Sequence, residues 1–360
     1  MEPVKIGKWP IKIPIIQGGM GVGISWDGLA GAVSINGGLG VISSVGTGYY
    51  QFPKFAGKLI NGRPNDENFC SSEALKEIFK NARKKCGDAP LATNIMHALT
   101  DFKAGVISAC EAGTNIIISG AGLATSLPEY TKDYPDVALV PIISSAQAAK
   151  IFCKKWSKSY SRLPDAFIVE GPKSGGHQGF AFEDCEKPEY QLEAIIPEIL
   201  EEVAKWGEIP VFAAGGIWDK ADIDKFIEMG CVGVQMGTRF IATHECDAPE
   251  YYKQLLIASN ENDIVLGESP VGLPSRRLYT NLHKLMAREK APKIACISNC
   301  VSACKHGEGA KKVKYCIADR LADAIMDKRE TGLYFTGTNG YRVNEIISVH
   351  ELLQKLTQGE

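Results

Sequence analysis

The sequence predicts an α/β fold, a (β/α)₈ TIM-type barrel with an insertion after its eighth strand. Three observations lead there. Eight short apolar, β-branched runs recur along the chain, amphipathic helical patterns separate them, and glycine turns follow five of them. Strands are expected at Ile13–Gln17, Gly40–Ser44, Leu91–Ile95, Asn115–Ser119, Ala138–Ile143, Ala166–Glu170, Val211–Ala214 and Gly233–Met236. Helices are expected at Trp26–Ser34, Ser72–Lys85, Phe102–Ala112, Ala146–Lys155, Leu192–Lys205 and Lys220–Met229. Between strands four and five, the stretch Leu127–Tyr134 is too short and irregular for more than a turn or two of helix. Continuous apolar strands alternating with helices imply a parallel sheet covered on both faces, and eight of them suit closure into a barrel.

A bare barrel needs ~250 residues, and this chain has 360. The surplus lies in a polar excursion over Gly48–Asn68 and in a long insertion after strand eight. The division expected is a barrel over 1–242, an insertion over 243–337 with a Cys-rich segment at 296–316, and a helical segment over 338–360 packing on the barrel. Insertions after barrel strands hang over the end where barrels do chemistry, so the long one is expected to act as a lid. Surface decoration is the plainer alternative.

Hydrophobic residues make up 45% of the chain, enough for one large core, and the formal net charge is only −2. That balance offers no electrostatic footprint for nucleic acid or an anionic membrane. No run reaches the ~18 apolar residues of a spanning helix, and Met1–Ile6 lacks an apolar signal core. A cytoplasmic location is expected, with a small molecule as partner and self-association left open.

Residues just after the barrel strands converge on one mouth. Here they read Gly18-Gly19-Met20-Gly21, Gly120-Ala121-Gly122, Gly171-Pro172-Lys173-Ser174-Gly175-Gly176-His177, Gly215-Gly216 and Gly237-Thr238. Any one pair equally marks an ordinary turn. Together they suit an anion, because glycine lets backbone N–H groups approach it, and the ends of strands seven and eight are the usual barrel phosphate site. His177 lies inside such a turn, where a histidine serves as base or hydrogen-bond donor; an exposed structural role is the alternative. Asn94 and Glu170, at strand ends, are candidates to hydrogen-bond a polar ring or simply to cap their strands. Arg276 and Arg277 read first as a solvated basic turn and second as an anchor for an anionic substrate.

Five stretches in order carry a resemblance: Ile15-Ile16-Gln17-Gly18-Gly19-Met20-Gly21, Thr93-Asn94-Ile95-Met96, Glu170 to His177, Ala213-Ala214-Gly215-Gly216-Ile217, and Gly233 to Phe240. Over roughly Ile13 to Arg277 the chain resembles the nitronate monooxygenase (2-nitropropane dioxygenase) family and its relative, the flavin-containing enoyl-acyl-carrier-protein reductase II. The resemblance implies non-covalent FMN, with Gly19 and Met20 lining the ring and Asn94 contacting it. It implies that Ala214, Gly215, Gly216, Gly237 and Thr238 hold the phosphate with Gln235 nearby, that Glu170 and Gly176 belong to the same cofactor site, and that His177 is the catalytic histidine. The expected function is FMN-dependent oxidation of alkyl nitronates. The alternative is reduction of an enoyl thioester with NAD(P)H as donor. A reading of another class, a non-catalytic flavin or metal redox sensor, is favoured only if the mouth lacks a reactive base.

Eleven cysteines are many for a cytosolic chain. Seven are scattered, as small buried hydrophobes are, while Cys296, Cys300, Cys304 and Cys316 crowd together among lysines. Basic neighbours, and a helix N-terminus after Cys316, lower thiol pKa and suit an iron–sulfur cluster. Zinc fits the spacing less well, and a packing stripe of small residues is the bland alternative.

Overall fold

The computed structural model describes residues 1–47, 59–60, 63–64, 72–294, 300–302, 304 and 313–359. Eight parallel strands form the barrel: β1 (Ile15–Gln17), β2 (Gly40–Ser43), β3 (Leu91–Met96), β4 (Ile116–Gly120), β5 (Ala138–Ile143), β6 (Phe167–Glu170), β7 (Val211–Ala214) and β8 (Gly233–Met236). Their order around the sheet is β1-β8-β7-β6-β5-β4-β3-β2. The last edge is joined by a parallel bridge between Ile16 and Leu39. There Gln17 N–H donates to Leu39 O and Leu39 N–H to Ile15 O, both at 3.0 Å. The Gln17 carboxamide adds a bond across this narrow seam, accepting from Val41 N–H at 3.0 Å.

The two-residue period of a strand sorts side chains into two cores. Ile16, Val41, Ile116, Ile118, Val140, Ile168 and Phe212 fill the barrel interior. Their neighbours Ile15, Ile42, Ile117, Leu139, Phe167 and Val211 point outward into the helical layer. Near one end, the hairpin of Val4–Ile6 and Trp9–Ile11 adds Ile6 and Ile11 to the interior cluster.

The helical layer comprises α1 (Asp27–Ile35), α2 (Ser72–Cys86), α3 (Phe102–Glu111), α4 (Leu127–Tyr130), α5 (Ala146–Tyr160), α6 (Leu192–Ala204) and α7 (Lys220–Glu228). As expected, α4 is one short turn. Helix α5 starts on the Ser145 cap but runs five residues beyond its expected end at Lys155. Its apolar stripe of Ala149, Phe152, Cys153 and Trp156 continues past Lys155, and Trp156 is fully buried. Truncating such a tryptophan costs about 3–5 kcal/mol. Only then does Ser161, in the left-handed region, end the helix. Helix α1 is capped from far away: the Asp247 carboxylate accepts from the N–H groups of Trp26, Gly28 and Leu29 at 2.8, 3.0 and 3.1 Å.

After β8 come a short helix, α8 (Thr238–Ile241), then α9 (Glu250–Ala258), the antiparallel hairpin β9 (Ile264–Glu268) and β10 (Pro274–Leu278), α10 (Asn281–Ala287) and α11 (Ile317–Ile325). Strand β10 also pairs antiparallel with Gly176–His177, so a three-stranded sheet ties the insertion to the loop after β6. The final helix, α12 (Val349–Gln358), packs on α1 and α7. Of the polar excursion Gly48–Asn68, only 59–60 and 63–64 lie within the described residues, where they pair with each other. Among the described residues no helix is long and apolar enough to cross a membrane.

The expectation of a solvated turn at Arg276-Arg277 is overturned. Both lie within β10, 4% and 6% exposed. Buried guanidinium groups need acceptors, and the adjoining loops supply them as carbonyl oxygens. Arg276 bonds Pro172 O and the Glu186 carboxylate, while Arg277 bonds Gly267 O at 3.1 Å and Glu268 O at 3.2 Å.

Candidate active site

The ends of β7 and β8 present a set of unused donors. Gly215 and Gly216 have φ of +103° and +80°, a region that favours glycine. A side chain at Gly215 would also lie 2.8 Å from Gly171 O. This backbone leaves the N–H groups of Gly215, Gly216, Gly237 and Thr238 without acceptors among the described residues. The adjacent Gln235 side chain is 8% exposed, and its Oε1 is buried without a partner. Unsatisfied backbone donors beside an orphaned carboxamide oxygen mark a place built for a polar ligand, and the clustered N–H groups suit an anion.

The β1 turn closes against β3. A Cβ at Gly19 would sit 2.2 Å from that of Asn94, so only glycine lets the turn pass this close. The Asn94 carboxamide, at the mouth end of β3, has no hydrogen-bond partner among the described residues. Met20 follows, its sulfur 3.5 Å from where a Gly237 Cβ would stand, and its N–H donates to Ser25 Oγ at 2.8 Å. Ala214, the last residue of β7, is buried inside the barrel beneath these turns. Gly19, Met20, Asn94, Ala214, Gly215, Gly216, Gln235, Gly237 and Thr238 therefore gather around one end of the barrel.

Gly176 and His177 reach that end differently, as a strand of the insertion's sheet. Their partners are Arg276 and Ser275. His177 Nε2 lies 2.9 Å from Ser269 Oγ in the β9–β10 turn. Its ring also stands edge-on to Phe335, 5.5 Å between centroids. Burial, with the Arg277 guanidinium nearby, holds the imidazole down to about 4, so it is neutral at pH 7. Glu170, at the end of β6, behaves oppositely. Burial pushes its carboxyl up to about 7, and it has no hydrogen-bond partner among the described residues.

Three residues of the site carry no sequence signal tying them to it. Asn339 Nδ2 donates to Gly216 O at 2.6 Å, and Gly337 N–H donates to Thr238 Oγ1 at 2.9 Å. The segment after the insertion thus fastens both glycine turns, and Gly337-Thr338-Asn339-Gly340 could have been read only as a turn. Ser269, which precedes Pro270, likewise reads as a turn initiator and nothing more.

Among the described residues the cysteine segment shows no thiolate cluster. Cys296, with Lys305, Lys311 and Lys312, lies outside the described residues. Cys300 and Cys316 pack with Val45, Met96 and Leu99 in a small apolar cluster. Burial pushes the Cys316 thiol up to about 12 and outweighs the amides of α11 that favour its thiolate. Among the described residues no group of three or more His, Cys, Asp or Glu side chains is arranged to hold a metal. The described residues give the iron–sulfur expectation no support.

The profile of the family described as nitronate monooxygenase matches residues 2–359. The chain belongs to this family. Nitronate monooxygenase family members are flavin oxidoreductases that typically bind FMN. A probable nitronate monooxygenase of Staphylococcus saprophyticus is 26% identical over 76% of this chain and 78% of that one. A (3aS,4S,5R,7aS)-5-hydroxy-7a-methyl-1-oxo-octahydro-1H-indene-4-carboxyl-CoA dehydrogenase of Rhodococcus jostii is 33% identical, over 41% of this chain and only 36% of that protein. Among solved structures, FabK from Thermotoga maritima superposes with a TM-score of 0.69 at 23% identity, covering 97% of this chain and 93% of that one. A nitroalkane oxidase from Streptomyces ansochromogenes gives 0.67 at 18% identity, covering 96% and 95%. Both share the fold. They bear out the (β/α)₈ barrel expected of this nitronate monooxygenase family member.

Proposed function

We propose that the chain is an FMN-dependent oxidoreductase of alkyl nitronates, with the insertion after β8 as its lid. The observation that carries this is the joining of two unlike features at one barrel end: unused amide donors at Gly215, Gly216, Gly237 and Thr238, and a neutral histidine on the sheet above them. The amides would hold the FMN phosphate. Gly19 and Met20 would line the ring system, and Asn94, Gln235 and Glu170 would hydrogen-bond it, with Ala214 and Gly176 completing its walls. When bound, FMN supplies the electron acceptor for the substrate. His177, uncharged at pH 7, would meet the substrate and hold its anionic nitro oxygens by donating a hydrogen bond.

Protein purified aerobically should be yellow and release FMN on denaturation. A colourless preparation that FMN does not reconstitute would sink the proposal. His177→Ala should lower kcat on propyl-2-nitronate by about 10²–10³-fold while leaving flavin content unchanged; full turnover would remove the histidine from the chemistry.

One observation favours a second reading, NAD(P)H-dependent reduction of an enoyl thioester. Leu123, Phe182 and Leu273, on loops after β4, after β6 and at the lid hairpin tip, are 43%, 48% and 40% exposed, as an acyl chain's entrance would be. Anaerobic mixing with propyl-2-nitronate, and separately with NADH plus crotonyl thioester, discriminates between the two. Flavin bleaching by NADH alone would count against the nitronate reading.

A further inference from the structure

The lid does more to His177 than cover it. Ser269 opens the β9–β10 turn, where its N–H donates to Leu273 O at 3.1 Å and its carbonyl accepts from Gly272 N–H at 3.0 Å. That turn aims the N–H of Val271 at Ser269 Oγ, 3.3 Å away. The same oxygen lies 2.9 Å from His177 Nε2. Ser269 is 8% exposed, and Val271 and His177 are its hydroxyl's partners among the described residues.

This arrangement has a preferred proton order. An amide N–H can only donate, so Val271 occupies a lone pair of Ser269 Oγ. The hydroxyl's single hydrogen then needs an acceptor, and Nε2 is the one within reach. Were Nε2 protonated instead, it would donate to Oγ and leave the hydroxyl hydrogen buried without a partner, at a cost of about 1–3 kcal/mol. With Nε2 accepting, a neutral ring carries its proton on Nδ1. Nδ1 has no partner among the described residues.

We propose that Ser269 is a positioning residue that fixes His177 as the Nδ1–H tautomer, so that the site donates to an anionic substrate and does not deprotonate a neutral one. The proposal rests on the reading of His177 as catalytic and selects between the two roles open to it. The neighbours reinforce it. Arg277 has no carboxylate partner among the described residues; it bonds carbonyl oxygens, Ser275 Oγ and His283 Nε2. Its positive charge beneath His177 favours negative charge in the substrate and opposes a second proton on the ring. The class of substrate that fits is a preformed nitronate, not its parent nitroalkane.

The test uses the full-length flavoprotein labelled with ¹⁵N-histidine, with the His177 signals assigned by their loss in His177→Gln. Long-range ¹H–¹⁵N spectra at pH 7 should show a protonated Nδ1 and a bare Nε2 at His177. Ser269→Ala should shift that pattern toward Nε2–H, and Ser269→Thr should keep it. Flavin content should stay constant, and kcat/KM for propyl-2-nitronate should fall about 3–10-fold in the alanine variant, as loss of one hydrogen bond predicts, and recover with threonine. The wild type should turn over 2-nitropropane far more slowly than its nitronate. Nε2–H in the wild type, an unchanged pattern in Ser269→Ala, or equal rates on the two substrates would each overturn the proposal. The spectrum is independent of turnover. Full activity in His177→Ala would therefore defeat the catalytic reading and leave the tautomer result standing.

Discussion

Glu170→Gln should remove one destabilising contribution that the wild-type FMN-free protein acquires as pH rises from about 4.5 to 7. The wild-type carboxyl is pushed from its ordinary value of 4.5 up to about 7 by burial. Below about pH 4.5 it is protonated in both folded and unfolded chains, and the buried acid costs nothing extra. As pH rises, the unfolded chain releases its proton first while the folded chain still holds it, so stability falls until the folded group also ionises near pH 7. A displacement of that size corresponds to about 3 kcal/mol, reduced by the solvent that reaches this half-buried side chain. Glutamine cannot ionise. Its unpaired amide adds a fixed penalty of about 1–3 kcal/mol, which cancels when the two proteins are compared at two pH values. Urea denaturation at pH 5 and pH 8.5 supplies the four free energies. The variant should gain about 2–3 kcal/mol on the wild type between the two pH values. The same gap at both would refute the burial of an unpaired carboxyl at the end of β6.

Gly215→Ala should weaken FMN retention at least about tenfold, since φ of +103° and a contact of 2.8 Å to Gly171 O force the turn to move; an unchanged fluorimetric titration of the apoprotein would show the turn to be irrelevant. Asp247→Ala strips the acceptor from three N–H groups at the start of α1 and should cost about 3 kcal/mol in chemical denaturation. Asp247→Asn, which keeps one acceptor oxygen, should fall between. A loss under about 1 kcal/mol would mean that another group caps the helix.

The barrel was legible because its signals are local. Runs such as Ile116-Ile117-Ile118 are apolar on both faces, as only a strand covered on each side can be, and their bounding glycines mark each end. The glycine turns were legible for a related reason: positive φ at Gly215 and close approach at Gly19 exclude other residues whatever the fold around them. The end of α5 was misjudged because Lys155 looks like a terminus, whereas the buried Trp156 one residue later decides the matter. Arg276 and Arg277 misled more seriously. Two adjacent charges imply water unless carbonyl oxygens wait in the interior; the one that meets Arg276 belongs to Pro172, far away in sequence, and those that meet Arg277 come within reach only when β9 folds back on β10. Ser269 and Asn339 were invisible for the same reason. Each acts through one contact with a residue roughly a hundred positions away, and no periodicity reports that.

The pairing of His177 with Ser275 also bears on how the protein comes to be folded. These two residues are about one hundred positions apart, and all eight barrel strands lie between or before them. Closing so long a loop costs chain entropy that local contacts do not repay, so the rung is expected late, after the barrel has provided a surface to close against. A chain interrupted before β10 would retain all eight barrel strands and every glycine turn, yet its histidine would dangle on an unpaired loop. The proposed chemistry would therefore be acquired last, because the rung that holds His177 and the Gly337 and Asn339 contacts that fasten the glycine turns all wait on chain that follows the barrel strands.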